Sequence, residues 1–169
     1  HIGESTTMAL VPQIADVVKI PVIAAGGIAD GRGLLAALSL GAQAVQVGTR
    51  FVASKEAVVH EAYKNRLISA KDIDTVVTGR SHGHPVRCLR NNMTREYARL
   101  ESEGKSFEEL EYLTLGALRK AVQEGDVVNG TVMAGQISGM IAQVQTCSEI
   151  IENMVAQAQK LAGSAMQWF

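Results

Sequence analysis

The chain has 169 residues, with 16 Lys and Arg against 17 Asp and Glu for a net charge of −1. That balance argues against a nucleic-acid binder, which carries a domain-wide basic excess, and no apolar run approaches the roughly 18 residues of a membrane span. Cys88 and Cys147 lack CxxC spacing, which argues against structural zinc and fits a reduced, cytoplasmic protein.

In chain order, His1-Ile2-Gly3-Glu4 comes first, followed by Ser5-Thr6-Thr7. Proline is favoured at a first helical position, so the sequence predicts a helix from Pro12 to Val18 with Ile14, Val17 and Val18 facing inward. Pro21 to Ala25 is apolar without polar alternation and predicts a strand buried on both faces, as in a parallel sheet. Gly26-Gly27 permits a sharp turn and leaves backbone N–H groups uncovered by any Cβ. Asp30 is the expected N-cap of a helix over 31–40, which Gly41 stops. Ala44-Val45-Gln46-Val47 repeats the short strand and closes on Gly48-Thr49-Arg50. Two such strands, each ending in a glycine turn beside a helix N-terminus, form a phosphate cradle where N–H groups and two helix dipoles converge on one dianion.

In an eight-stranded α/β barrel the usual phosphate site follows the last two strands, at the C-terminal face. The expected fold class is therefore α/β: the C-terminal portion of a (β/α)8 TIM barrel followed by a mainly helical lid region. A complete barrel takes about 250 residues, so the chain reads as the C-terminal part of a longer enzyme. His1 precedes the Pro21 strand by one βα step, which places it on the catalytic rim.

Beyond Phe51, an amphipathic helix is expected over 55–70, using Val58, Val59, Ala62 and Leu67. Thr75 to Thr78 suits a short strand, and Gly79 to Arg90 reads as irregular. His82 and His84 lie one residue apart without a third partner, which does not make a metal site. A solvated helix follows over 91–104 with Met93 and Tyr97 on one face. Ser106 and Glu109 form a capping box for a helix to about Glu124, ended by Gly125. In TVMAGQISGMI, residues 131–141, Gly135 and Gly139 are spaced for close helix approach. Gln136 there is an amide in apolar surroundings, either a satisfied structural group or a cofactor contact. Thr146 with Glu149 caps a last helix whose inward face is Ile150, Ile151, Met154, Val155, Ala158 and Leu161. The tail after Gly163 is expected to fray, with Trp168 and Phe169 available to cover a neighbour. These segments suggest barrel units over 1–71, a lid or substrate region over 72–145, and a C-terminal helix and tail over 146–169.

With these segments placed, the chain resembles the type II FMN-dependent enoyl-acyl-carrier-protein reductases, within the nitronate monooxygenase (2-nitropropane dioxygenase-like) superfamily. The resemblance rests on HIGE with TTMALVPQ, then IPVIAAGGIADGRG, AVQVGTRF, GHPVRCLRN and VMAGQISG. It implies FMN at the barrel mouth, its phosphate held by Gly26, Gly27, Gln46, Val47, Gly48 and Thr49, with Gln136 a further cofactor contact. His1 matches the histidine of the family's GGHxG motif, near the reactive end of the flavin. NADH or NADPH would be the reductant, and an enoyl group on acyl carrier protein the substrate. Arg80, Arg87 and Arg90 are either a solvated rim or contacts for that carrier, its phosphopantetheine arm or a nicotinamide phosphate. A nitronate monooxygenase and an inactive truncated remnant are the alternatives. The resemblance implies no metal, nucleic-acid or membrane partner and leaves a homodimer open.

Overall fold

The computed structural model describes residues 2–165, so the expectations placed on His1, Trp168 and Phe169 lie outside the described residues. The elements are α1 (Thr7–Val17), β1 (Ile23–Ala25), α2 (Gly31–Ser39), β2 (Ala44–Gln46), α3 (Thr49–Val52) and α4 (Glu61–Ile68). They continue with β3 (Thr75–Thr78), β4 (Val86–Leu89), α5 (Asn92–Ser102), α6 (Phe107–Thr114), α7 (Ala117–Arg119) and α8 (Cys147–Ala165). Two compact units result: Gly3–Glu56 together with the chain from Val144 onward, and Ala57–Gln143. This division falls elsewhere than the boundaries expected after residues 71 and 145.

In the first unit β1 and β2 pair in parallel, Ile23 opposite Ala44 and Ala25 opposite Gln46. Val11, Ala24, Ile28, Ala37 and Ala42 make its core, with Val22, Leu40, Val45 and Val47 packed around them. The expectation that β1 is buried on both faces fails, for only Ala24 is buried and Ile23 is 61% exposed. Burial on both faces needs a layer on each side, and among the described residues this sheet has two strands only. Helix α1 also departs from expectation: it starts at Thr7, and Pro12 lies inside it rather than at its first position. The proline forgoes one backbone bond there. Val11 is the buried residue, whereas Ile14 and Val17 are exposed.

Helix α8 packs on α2 through Ile150, Met154 and Ala158, a narrower stripe than expected, because Ile151 and Val155 are exposed. Its start follows the expected capping box, with the Thr146 N–H donating to Glu149 Oε2 at 2.7 Å and the Glu149 N–H to Thr146 Oγ1 at 3.2 Å. The helix runs through Gly163 to Ala165, and the rest of the tail expected to fray lies outside the described residues.

In the second unit α4 begins at Glu61, not near Lys55. The His60 N–H bonds to the Val122 carbonyl at 2.8 Å, and His60 Nδ1 accepts from the Ala62 N–H at 3.1 Å as an N-cap. That long-range bond holds residues 57–60 out of the helix and leaves Val58 exposed. The segment after Gly79 is a hairpin rather than irregular chain: β3 pairs antiparallel with β4, Thr75 opposite Leu89 and Thr78 opposite Val86. Gly79 and Gly83, both at positive φ, turn the loop. Residues 131–134 are extended as well, with the Leu89 N–H bonding Val132 O at 2.8 Å and the Ala134 N–H bonding Arg87 O at 3.1 Å. TVMAGQISGMI is thus no helix beyond a 3-10 turn at Gln136–Met140. Close approach does occur at Gly139, where a Cβ would lie 2.7 Å from the Asp72 nitrogen.

Helix α5 is capped by Asn91, which also donates from Nδ2 to Val127 O and Gly130 O. Its Met93 and Tyr97 form the expected face, clustered with Leu110. The helix expected to reach Glu124 unbroken stops at Thr114, because Gly116 at φ +73° redirects the chain into α7 and a π-helical stretch, Lys120–Glu124. Gly125 ends that stretch as expected. Burial pushes the Cys88 thiol up to about 12, so this cysteine is inert packing. Among the described residues no helix is long and apolar enough to cross a membrane.

Candidate phosphate-binding site

Because Ala25 and Gln46 are partners in a parallel pair, the segments that follow them, Gly26-Gly27 and Val47-Gly48, leave the sheet side by side at its C-terminal end. The two glycine turns therefore share one rim. Gly26 and Gly27 adopt φ of +110° and +74°, which side chains resist. The Thr7 hydroxyl donates to Gly26 O at 2.9 Å and ties α1 to the turn. A Cβ on Gly27 or Gly48 would meet nothing within 4 Å. Neither N–H has an acceptor among the described residues. Uncovered N–H groups facing open space suit an anion. Gly48 has an ordinary φ of −97°, so what it offers is space rather than conformation. Gln46 is exposed at the strand end, Val47 packs into the core, and Thr49 opens the one-turn helix α3. Buried Arg50 donates to Gln145 Oε1.

The expectation of two helix dipoles aimed at one anion requires correction, since the N-terminus of α2 is already closed by protein acceptors. The Gly31 N–H donates to Gln157 Oε1 of α8 at 2.7 Å. Those of Arg32 and Gly33 donate to Asp30 Oδ1 at 3.0 and 3.4 Å, and that of Leu34 to Asp30 O at 3.0 Å. The α2 N-terminus therefore has no N–H left to offer from Gly31 to Leu34.

Burial pushes the Asp30 carboxyl up, but Arg32, bonded through Nε and Nη2 to Oδ2, and the Gly33 and Arg32 N–H groups outweigh it and hold the carboxyl below its usual range. A depressed folded value means the stabilisation is complete above the unfolded pKa, near 4, and is lost as pH falls through the folded value. Asp30→Ala is expected to cost about 1 kcal/mol at neutral pH. The gap from wild type should shrink in urea melts below about pH 4. A gap independent of pH would refute the charged cap.

Of the other expected site residues, Gln136 sits in the second unit at the start of its 3-10 turn. It is exposed, which corrects the reading of a buried amide. His82 and His84 pack against Phe107, with ring centroids 6.2 and 5.0 Å away, and Ser81 bonds both His82 Nδ1 and Glu101. Arg87 donates to Thr75 Oγ1 and Arg90 to Ile73 O, while Arg80 is exposed. Gln157 escaped sequence reasoning. Its one signal was an amide wedged between the buried-stripe residues Met154 and Ala158.

A family model described as nitronate monooxygenase matches residues 1–157. The probable nitronate monooxygenase of Staphylococcus saprophyticus is 37% identical over 155 residues, covering 92% of this chain and 43% of that protein. A counterpart from Staphylococcus aureus matches to the same extent. Among solved structures, FabK from Thermotoga maritima is similar with a TM-score of 0.95 at 46% identity, covering all of this chain and 54% of that one. Nitroalkane oxidase from Streptomyces ansochromogenes is similar with a TM-score of 0.75 at 29% identity, covering 92% of this chain and 45% of that one.

Proposed function

We propose a function from one premise: the chain belongs to the nitronate monooxygenase family. It supplies the C-terminal portion of a (β/α)8 barrel, with the phosphate-binding rim, to a longer FMN-dependent enoyl-acyl-carrier-protein reductase of the cytoplasm. The observation that carries this reading over its rivals is likeness to FabK along the whole chain at 46% identity. The glycine turns suit the cofactor's phosphate, because the Gly27 and Gly48 N–H groups have no acceptor among the described residues and a Cβ on either would meet nothing within 4 Å.

In this reading the Gly27 and Gly48 N–H groups hold the phosphate, with Gly26, Gln46, Val47 and Thr49 shaping the rim. Bound FMN supplies hydride transfer from NADH or NADPH to the β-carbon of the enoyl thioester. His1 either holds the proton destined for the α-carbon or hydrogen-bonds the thioester oxygen, since imidazole titrates near working pH. The substrate is carried on acyl carrier protein, which the arginines Arg80, Arg87 and Arg90 suit by charge.

The second reading, a nitronate monooxygenase, is favoured by the family model and the names of the staphylococcal relatives. His1 would then be the base on an acidic C–H, and no nicotinamide would be needed. The test uses the full-length protein. Oxidation of NADH or NADPH driven by a crotonyl thioester is the expected result. Oxygen uptake driven by a nitroalkane, without thioester reduction, would overturn the reductase.

A further inference from the structure

We propose that Gln157, on α8, is a positioning residue for the phosphate-binding turn, and that the site requires it to be neutral. This rests on the reading that Gly27 and Gly48 hold the cofactor phosphate. The turn carrying Gly27 is anchored at its upstream end by β1 and by the Thr7 hydroxyl on Gly26 O. Its downstream end runs through Asp30 into Gly31, whose N–H is taken by Gln157 Oε1 at 2.7 Å, from a residue 126 positions later. Helix α8 presses directly on that point, for a Cβ on Gly31 would lie 2.5 Å from both Met154 O and the Ala158 nitrogen. The clamp therefore combines a hydrogen bond with backbone contact.

Its chemistry is informative. A carboxylate is the stronger acceptor at a helix N-terminus and interacts favourably with the dipole. On stability alone, glutamate would serve at least as well as glutamine. Asp30 already places one carboxylate at this end of α2, paired with Arg32. A second, unpaired one would oppose a dianion on the neighbouring turn. The amide closes the helix end without adding charge.

Stability and phosphate affinity thus move in opposite directions when Gln157 becomes acidic, and an uncharged variant separates positioning from repulsion. The experiment measures FMN and riboflavin dissociation constants by flavin fluorescence on the full-length protein, with thermal melts of the flavin-free form. Gln157→Glu is expected to melt at or above wild type yet bind FMN about tenfold more weakly, with riboflavin affinity within about twofold. Gln157→Met, which keeps bulk but loses the acceptor, should weaken FMN about threefold and again spare riboflavin. Should the glutamate variant fail to fold, the methionine variant decides. A wild-type preference for FMN that the folded variants retain overturns the inference and leaves the phosphate reading intact. A wild type that binds riboflavin as tightly as FMN overturns both.

Discussion

Replacing Gly31 with Ala is expected to destabilise the protein by about 3 kcal/mol, read as a lowered urea midpoint at unchanged slope. Helix propensity alone points the other way, by about 1 kcal/mol in favour of Ala, and Gly31 is not among the glycines at positive φ. The cost arises from α8. An added Cβ would sit 2.5 Å from Met154 O and the Ala158 nitrogen and 2.7 Å from Gln157 Cβ. Two of those atoms belong to helix backbone and cannot rotate away, so α8 itself must shift. That movement loosens Ile150, Met154 and Ala158 and lengthens the Gly31–Gln157 bond. Gly163→Ala is the control, in the same helix with nothing within 4 Å of the new methyl. It should stabilise by up to about 1 kcal/mol. A Gly31→Ala variant as stable as wild type would mean that α8 does not dock on α2.

Gly48→Ala is expected to weaken FMN binding about 30-fold in the full-length protein while changing folding stability by less than about 0.5 kcal/mol. This separation is possible because Gly48 has an ordinary backbone conformation and a Cβ there meets no protein atom. The methyl would enter open space on the rim where the phosphate is proposed to sit. Gly27→Ala should weaken FMN as well, but at a further cost of about 1–2 kcal/mol in stability, since φ of +74° is disfavoured for alanine. Riboflavin titrations are the companion measurement, because they remove the phosphate and leave the ring. Unchanged FMN affinity in Gly48→Ala would remove Gly48 from the site.

The parts legible in sequence were those decided by neighbours in the chain. Asp30, Ser106 and Thr146 announce helix starts because a short polar side chain satisfies N–H groups two or three residues on. Gly41 and Gly125 announce stops because positive φ costs glycine little. The failures have a different origin. Val86 to Leu89 became a strand through pairing with Thr75–Thr78 and with residues 131–134, and no local pattern records such a partner. Pro12 reads locally as a helix start, although an interior proline is tolerated when the rest of the helix supplies its bonds. Gly116 lies inside an otherwise continuous helical pattern, where one positive φ suffices to break it.

The candidate site divides along the same line. Two apolar strands, each running into glycine, determine two turns with bare N–H groups, since backbone stereochemistry acts within a few residues. The closing of α2 by Gln157 was decided only in three dimensions. A hydrogen bond spanning 126 positions depends on α8 packing against α2, and that packing depends on the absence of a single methyl at Gly31.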